Sequence, residues 1–129
     1  MKIDHIAIWC SDLEGMLHFY MHYFDAGSNE GYYNHSKDFH SYFLKFDDEC
    51  TLELMQMPGI PKTKNDPRKQ FTGIIHLAIK VGSKMEVDQL TGQLRRDGFP
   101  VVSEPRTTGD GKYESVVLDP EGNRVEIVA

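Results

Sequence analysis

DHIAIW, residues 4–9, and IHLAIK, residues 75–80, share a pattern: a histidine, one apolar residue, an alanine and an isoleucine. Neighbouring side chains in an extended chain point to opposite faces. Ile6 and Ile8 therefore share one face of the first segment, which leaves His5, Ala7 and Trp9 on the other. Ile75, Leu77 and Ile79 do the same for His76, Ala78 and Lys80. A lone histidine in a strand is most often a satisfied core residue. Two in matched settings point to an internal repeat.

The surroundings repeat as well. After residues 2–10, Ser11 or Asp12 can cap a helix that carries Glu14 in its first turn. Leu13, Met16, Leu17, Tyr20, Tyr23 and Phe24 follow at helical spacing, and Gly27 stops the run. Strands are expected at 41–46 and 51–57, joined by a turn at Asp47-Asp48-Glu49, with a less distinct strand within 28–35. In the second half a strand at 74–81 leads to Ser83, which can cap a helix through Val87, Leu90 and Leu94. Strands at 99–103, 113–118 and 123–128 follow, with EPRTTGDGK (104–112) as a loop and DPEG (119–122) as a turn. Each half reads as strand, helix, three strands. The expected fold class is α+β: two βαβββ modules, 1–57 and 74–129, in a single domain, joined by a proline- and lysine-rich linker at 58–73.

The last strands of the halves carry the second repeated feature. In TLELM, Leu52 and Leu54 take the helix side and put Glu53 opposite; in RVEIV, Val125 and Ile127 do so for Glu126. The spacing between the two histidines nearly equals that between the two glutamates. Either glutamate alone reads as a solvated side chain. Four polar residues placed alike in matching halves, all opposite the helix-packed face, read as a site. His5, Glu53, His76 and Glu126 make a donor set suited to a divalent first-row metal.

Composition narrows the function. The 129 residues are 40% hydrophobic and 26% charged, which suits one compact domain. A net charge of -6 argues against nucleic-acid and acidic-membrane binding. No run is long enough to span a membrane, and Met1-Lys2-Ile3 leads straight into a strand pattern instead of a signal peptide. Cys10 and Cys50 lack C-x-x-C spacing, so a reduced, cytoplasmic protein is expected.

HIAIW, TLELM, IIHLAI and DPEGNRVEI resemble the metal-binding strands of the vicinal oxygen chelate superfamily, which includes glyoxalase I, bleomycin-resistance proteins and extradiol dioxygenases. The resemblance spans essentially the whole chain. It implies curved mixed sheets around one divalent metal ion per site, commonly in a homodimer, with His5, Glu53, His76 and Glu126 as ligands. A His, Glu, His, Glu series is most similar to bacterial glyoxalase I, a lyase often dependent on nickel; zinc and cobalt are the other ions expected. That enzyme isomerises the hemithioacetal of glutathione and methylglyoxal, and the resemblance implies that Glu126, with Glu53 as the alternative, carries the proton. The other functions open to such a chain are drug or metabolite binding without catalysis, thiol transfer and dioxygenation.

Two positions depart from the glyoxalase I pattern. Trp9 stands where an arginine helps hold glutathione, and Met57 where an asparagine does. The expected pocket is thus apolar, lined by Trp9, Met55, Met57 and Ala78, with Tyr42 and Lys80 as further candidates. Lys62, Lys64, Arg68 or Lys69 of the linker can replace a lost anion contact, although such side chains are usually just solvated. His18 and His22 have the spacing of a helical metal pair but fall away from the apolar stripe, and His35 and His40 belong to no second motif. TGDG (108–111) is too short for a phosphate loop.

Overall fold

The computed structural model describes residues 1–47 and 49–129; Asp48, the middle of the turn expected at Asp47-Asp48-Glu49, lies outside the described residues. The chain forms two compact units, residues 1–63 and 64–129. The first runs β1 (His5–Trp9), α1 (Leu13–Phe24), β2 (Gly27–Ser28), β3 (Tyr32–Asn34), β4 (Phe39–Lys45) and β5 (Thr51–Gln56). Its sheet has the order β1-β5-β4-β2, with β3 also on β4. The second runs β6 (Leu77–Lys80), α2 (Lys84–Arg96), β7 (Val101–Thr107), β8 (Tyr113–Leu118) and β9 (Arg124–Val128), with sheet order β6-β9-β8-β7. In each unit the first strand lies parallel to the last and the remaining pairs are antiparallel. The class is α+β with mixed sheets, as expected.

Local sequence explains the elements. The Asp12 carboxylate accepts from the Gly15 N–H at 3.0 Å and caps α1. Leu13, Met16, Phe19 and Tyr20 are the buried face of that helix, so the stripe includes Phe19 and leaves Leu17 half-buried. They pack on β4 and β5, where Leu44, Leu52 and Leu54 are buried. The helix ends at Asp25, in the left-handed region at φ 53°, two residues before the glycine expected to stop it. Ser83 caps α2 by accepting from the Glu86 N–H, and Val87, Thr91 and Leu94 pack it on the second sheet over Ser115, Val117, Val125 and Ile127.

Several strand boundaries differ from the sequence expectation. The strand sought within 28–35 is two short pieces, both antiparallel to β4. Asn29 separates them: its side-chain oxygen accepts the Phe43 N–H at 3.0 Å, standing in for a backbone carbonyl. Strand β6 begins at Leu77, so His76 lies just before it. Strand β7 runs on to Thr107 across Pro105, because register shifts on either side of Ser103 let a proline sit at the edge of the sheet. The TGDG stretch is a tight connector from β7 to β8, closed by Thr108 N–H donating to Lys112 O at 2.8 Å. In the turn before β9, Asp119 accepts from the N–H groups of Glu121 and Asn123, and Gly122 sits at φ 85°.

One polar contact is fully enclosed in the second core. Thr91 Oγ1 donates to Val87 O at 2.6 Å and meets Ser115 Oγ at 2.7 Å, and both residues are buried. Thr91→Val leaves the serine hydroxyl without that partner, and a loss of about 1–3 kcal/mol in unfolding free energy is expected. Adding Ser115→Ala should return part of it. Additive losses in the double variant, measured by urea unfolding, would contradict this coupling.

Candidate metal centre

Strand register places the four candidate residues. On β5, Glu53 lies beside Ala7 of β1 and Phe43 of β4. On β9, Glu126 lies beside Ala78 of β6 and Val116 of β8. Each glutamate thus has an alanine methyl on one side, which leaves space above the sheet, with the histidine two residues before that alanine. The repeated His-x-Ala triplet is what makes this room.

The resulting pairs match in geometry. His5 Nε2 lies 3.9 Å from Glu53 Oε2, and His76 Nε2 lies 3.5 Å from Glu126 Oε2. In both, the histidine side chain is 40% exposed and the carboxylate 14% exposed. Two donors on one ion, with bonds of about 2.1 Å and a tetrahedral angle, stand about 3.4 Å apart. The spacing therefore suits a shared cation within each pair. His5 Nδ1 also meets Asp4 Oδ2 at 2.7 Å. A proton held there leaves the Nε2 lone pair directed toward Glu53, the arrangement by which carboxylates orient metal-binding imidazoles. Phe43 packs edge-on against the His5 ring at 5.7 Å and fixes its plane.

The structure brings together His5 with Glu53 and His76 with Glu126. Among the described residues, no group of three or more His, Cys, Asp and Glu side chains is close enough to hold an ion. The His18 and His22 rings stack face to face at 5.5 Å on the exposed side of α1. His35 and His40 flank Tyr33, whose hydroxyl donates to Asp38 at 3.0 Å.

Among the pocket residues, Trp9 and Met55 are paired on the Glu53 face, Met57 follows β5 in the same alternation, and Ala78 and Lys80 share the Glu126 face. Tyr42 does not line the site. It pairs with Leu54 on the helix-packed face, and its hydroxyl donates to Glu14 Oε1 of α1 at 2.9 Å. Sequence alternation assigns it there, one residue out of step with Phe43.

Glu114, which sequence reading passed over, is a buried acid on the Glu126 face. Arg106 Nη2 lies 3.5 Å from its carboxylate, and the side chain hydrogen-bonds to Glu126. The signal was present in YESVVL: alternation puts Glu114 in line with Val116, directly across from Glu126. Burial pushes the Glu126 carboxyl above the ordinary carboxylate range; His76 opposes the rise, and the charge and hydrogen bond of Glu114 add to it.

A carboxyl whose pKa rises on folding holds its proton more readily in the folded protein, so ionising it costs stability. That cost is absent well below the ordinary value of 4.5 and complete above the folded pKa. Without metal, Glu126→Gln should melt above the parent at pH 8, with the gap closing toward pH 4. A gap of equal size at both pH values, by calorimetry with chelator present, would contradict this.

Comparison with known proteins agrees with the fold. The family model for the Glyoxalase/Bleomycin resistance protein/Dioxygenase superfamily matches residues 2–127. The uncharacterised protein YwkD of Bacillus subtilis (strain 168) is 29% identical over 98% of this chain and 94% of its own. The trypanothione-dependent glyoxalase I of Leishmania major superposes with a TM-score of 0.78, at 23% identity, over 99% of this chain and 86% of its own. Glyoxalase I of Zea mays gives the same TM-score, 0.78, at 21% identity over 98% of this chain, which spans only 44% of the maize chain. No helix among the described residues is long and apolar enough to cross a membrane. With two repeated modules and a family match running almost end to end, the chain belongs to the Glyoxalase/Bleomycin resistance protein/Dioxygenase superfamily.

Proposed function

We propose that the chain is a metal-dependent lyase of the glyoxalase I type, which moves a proton next to a carbonyl in a thiol hemithioacetal or a related small substrate. The observation that carries this reading is the repeated His–Glu pair, alike in strand register, spacing and exposure in both units. His5, Glu53, His76 and Glu126 would hold one divalent ion, whether nickel, zinc or cobalt, within one chain or across a homodimer. Such an ion supplies Lewis-acid stabilisation of the negative charge that develops on oxygen as the proton leaves. Pairing of two chains would also cover open sheet edges. The reduced cysteines expected from the sequence suit a cytoplasmic protein.

Glu126 is the assigned base. It would take the proton from the carbon beside the carbonyl and return it to the neighbouring carbon, with Glu53 as its partner. The arrangement around it supports this choice: Glu114, held by Arg106, lies against Glu126, whereas Glu53 has Phe43 beside it. The alternative of a binding protein without catalysis has less support. An apolar pocket gains nothing from two largely enclosed carboxylates, which are costly to desolvate.

Trp9 and Met57 stand where glutathione contacts are found in bacterial glyoxalase I, so the glutathione hemithioacetal should be a poor substrate beside a less polar α-hydroxycarbonyl. Glu126→Gln should lose about 100- to 10,000-fold in rate while retaining metal, because the amide oxygen still coordinates. A substrate deuterated at the reacting carbon checks the step. Retention of that deuterium through turnover, or a glutamine variant as fast as the parent, would contradict the assignment.

A further inference from the structure

One cross-strand row on the Glu53 face has no part in metal binding. Trp9 pairs with Met55, Met55 with Ser41, and Ser41 with Tyr32. Phe39, on the same face, meets the Trp9 ring edge-on at 6.0 Å and the Tyr32 ring at 6.2 Å. Ser41 is only 3% exposed and forms a low floor, while Trp9 and Tyr32 remain 40% and 56% exposed. The backbone just after the tryptophan is pinned to β5: Cys10 N–H donates to Met55 O at 2.7 Å, and Gln56 Nε2 donates to Ser11 O at 2.6 Å.

We propose that this row is the subsite for an uncharged aryl group carried by the substrate, so that the preferred substrates are aryl α-hydroxycarbonyls. The proposal rests on the reading of Glu53 as part of the reaction site. The aromatic row lies two residues along the strands from the row of Ala7, Glu53 and Phe43, about 6.7 Å away. A phenyl ring attached to a carbonyl carbon held at the Glu53 row extends over most of that distance, which brings its far edge toward the aromatic row. Neither row carries a cationic side chain, so an anionic arm finds no counter-charge there. Edge and face contacts from Trp9 and Tyr32 suit a neutral ring.

Trp9 is the one tryptophan in the chain, so its indole N–H gives a single resonance to follow. The test compares 2-hydroxyacetophenone with hydroxyacetone on the full-length ¹⁵N-labelled protein, both metal-free and zinc-loaded. The aryl ketone should bind about tenfold tighter or more in both states and move the indole resonance. Tyr32→Leu, followed by the indole resonance, and Trp9→Leu, followed by backbone amide resonances, should each bring its affinity toward that of hydroxyacetone. Equal affinities, or an indole resonance unmoved by bound aryl ketone, would overturn the proposal. So would an indole shift on dilution alone, which would place a second copy of the chain on this row. Zinc tests the metal reading separately: if it tightens neither ketone while the aryl preference persists, the metal reading fails and the aryl subsite stands.

Discussion

The pairing of the first strand with the last in each unit fixes what the remaining residues can do. Strands β1 and β5, and β6 and β9, run parallel in a register that sets an alanine against a glutamate and a histidine two residues away. Side chains alternate with a period of two, so a slip of one residue would exchange the faces. Glu53 and Glu126 would then enter the helix-packed core, and Leu52, Leu54, Val125 and Ile127 would face outward. Burial of those four residues, each at most 3% exposed, resists that slip. The apolar face under each helix thus determines where the polar pair stands.

The two pairs share one geometry and differ in surroundings. An aromatic ring braces His5, Asp4 orients it, and the next row outward is aromatic as well. Behind Glu126 stand a buried acid on β8 and an arginine on the neighbouring β7. The first unit therefore surrounds its pair with rings, and the second sets a second acid against its glutamate. Gene duplication would leave such a record, with a His–Glu pair kept in both halves and different neighbours around each.

Much of this was legible in the sequence because charged or ring-bearing residues inside alternating strands are costly and so carry information. HIAI, HLAI, TLELM and RVEIV disclosed the strands, their faces and the two His–Glu pairs. Less legible were features set by contacts distant in sequence. Tyr42 followed alternation onto the helix face, where its hydroxyl reaches Glu14. The strand at 28–35 broke in two because Asn29 imitates a backbone carbonyl, which no local propensity reveals. Glu114 was hidden for another reason: an acid beside four apolar residues looks like an edge residue until the register sets it against Glu126.

Anomalous diffraction from crystals of nickel-loaded protein, collected at the nickel absorption edge, addresses the central claim most directly. The account predicts one strong peak per site within bonding distance of His5 Nε2, His76 Nε2 and the carboxylates of Glu53 and Glu126, whether those donors come from one chain or two. A peak on His18 and His22 instead, or crystals of loaded protein with no peak at either His–Glu pair, would contradict it.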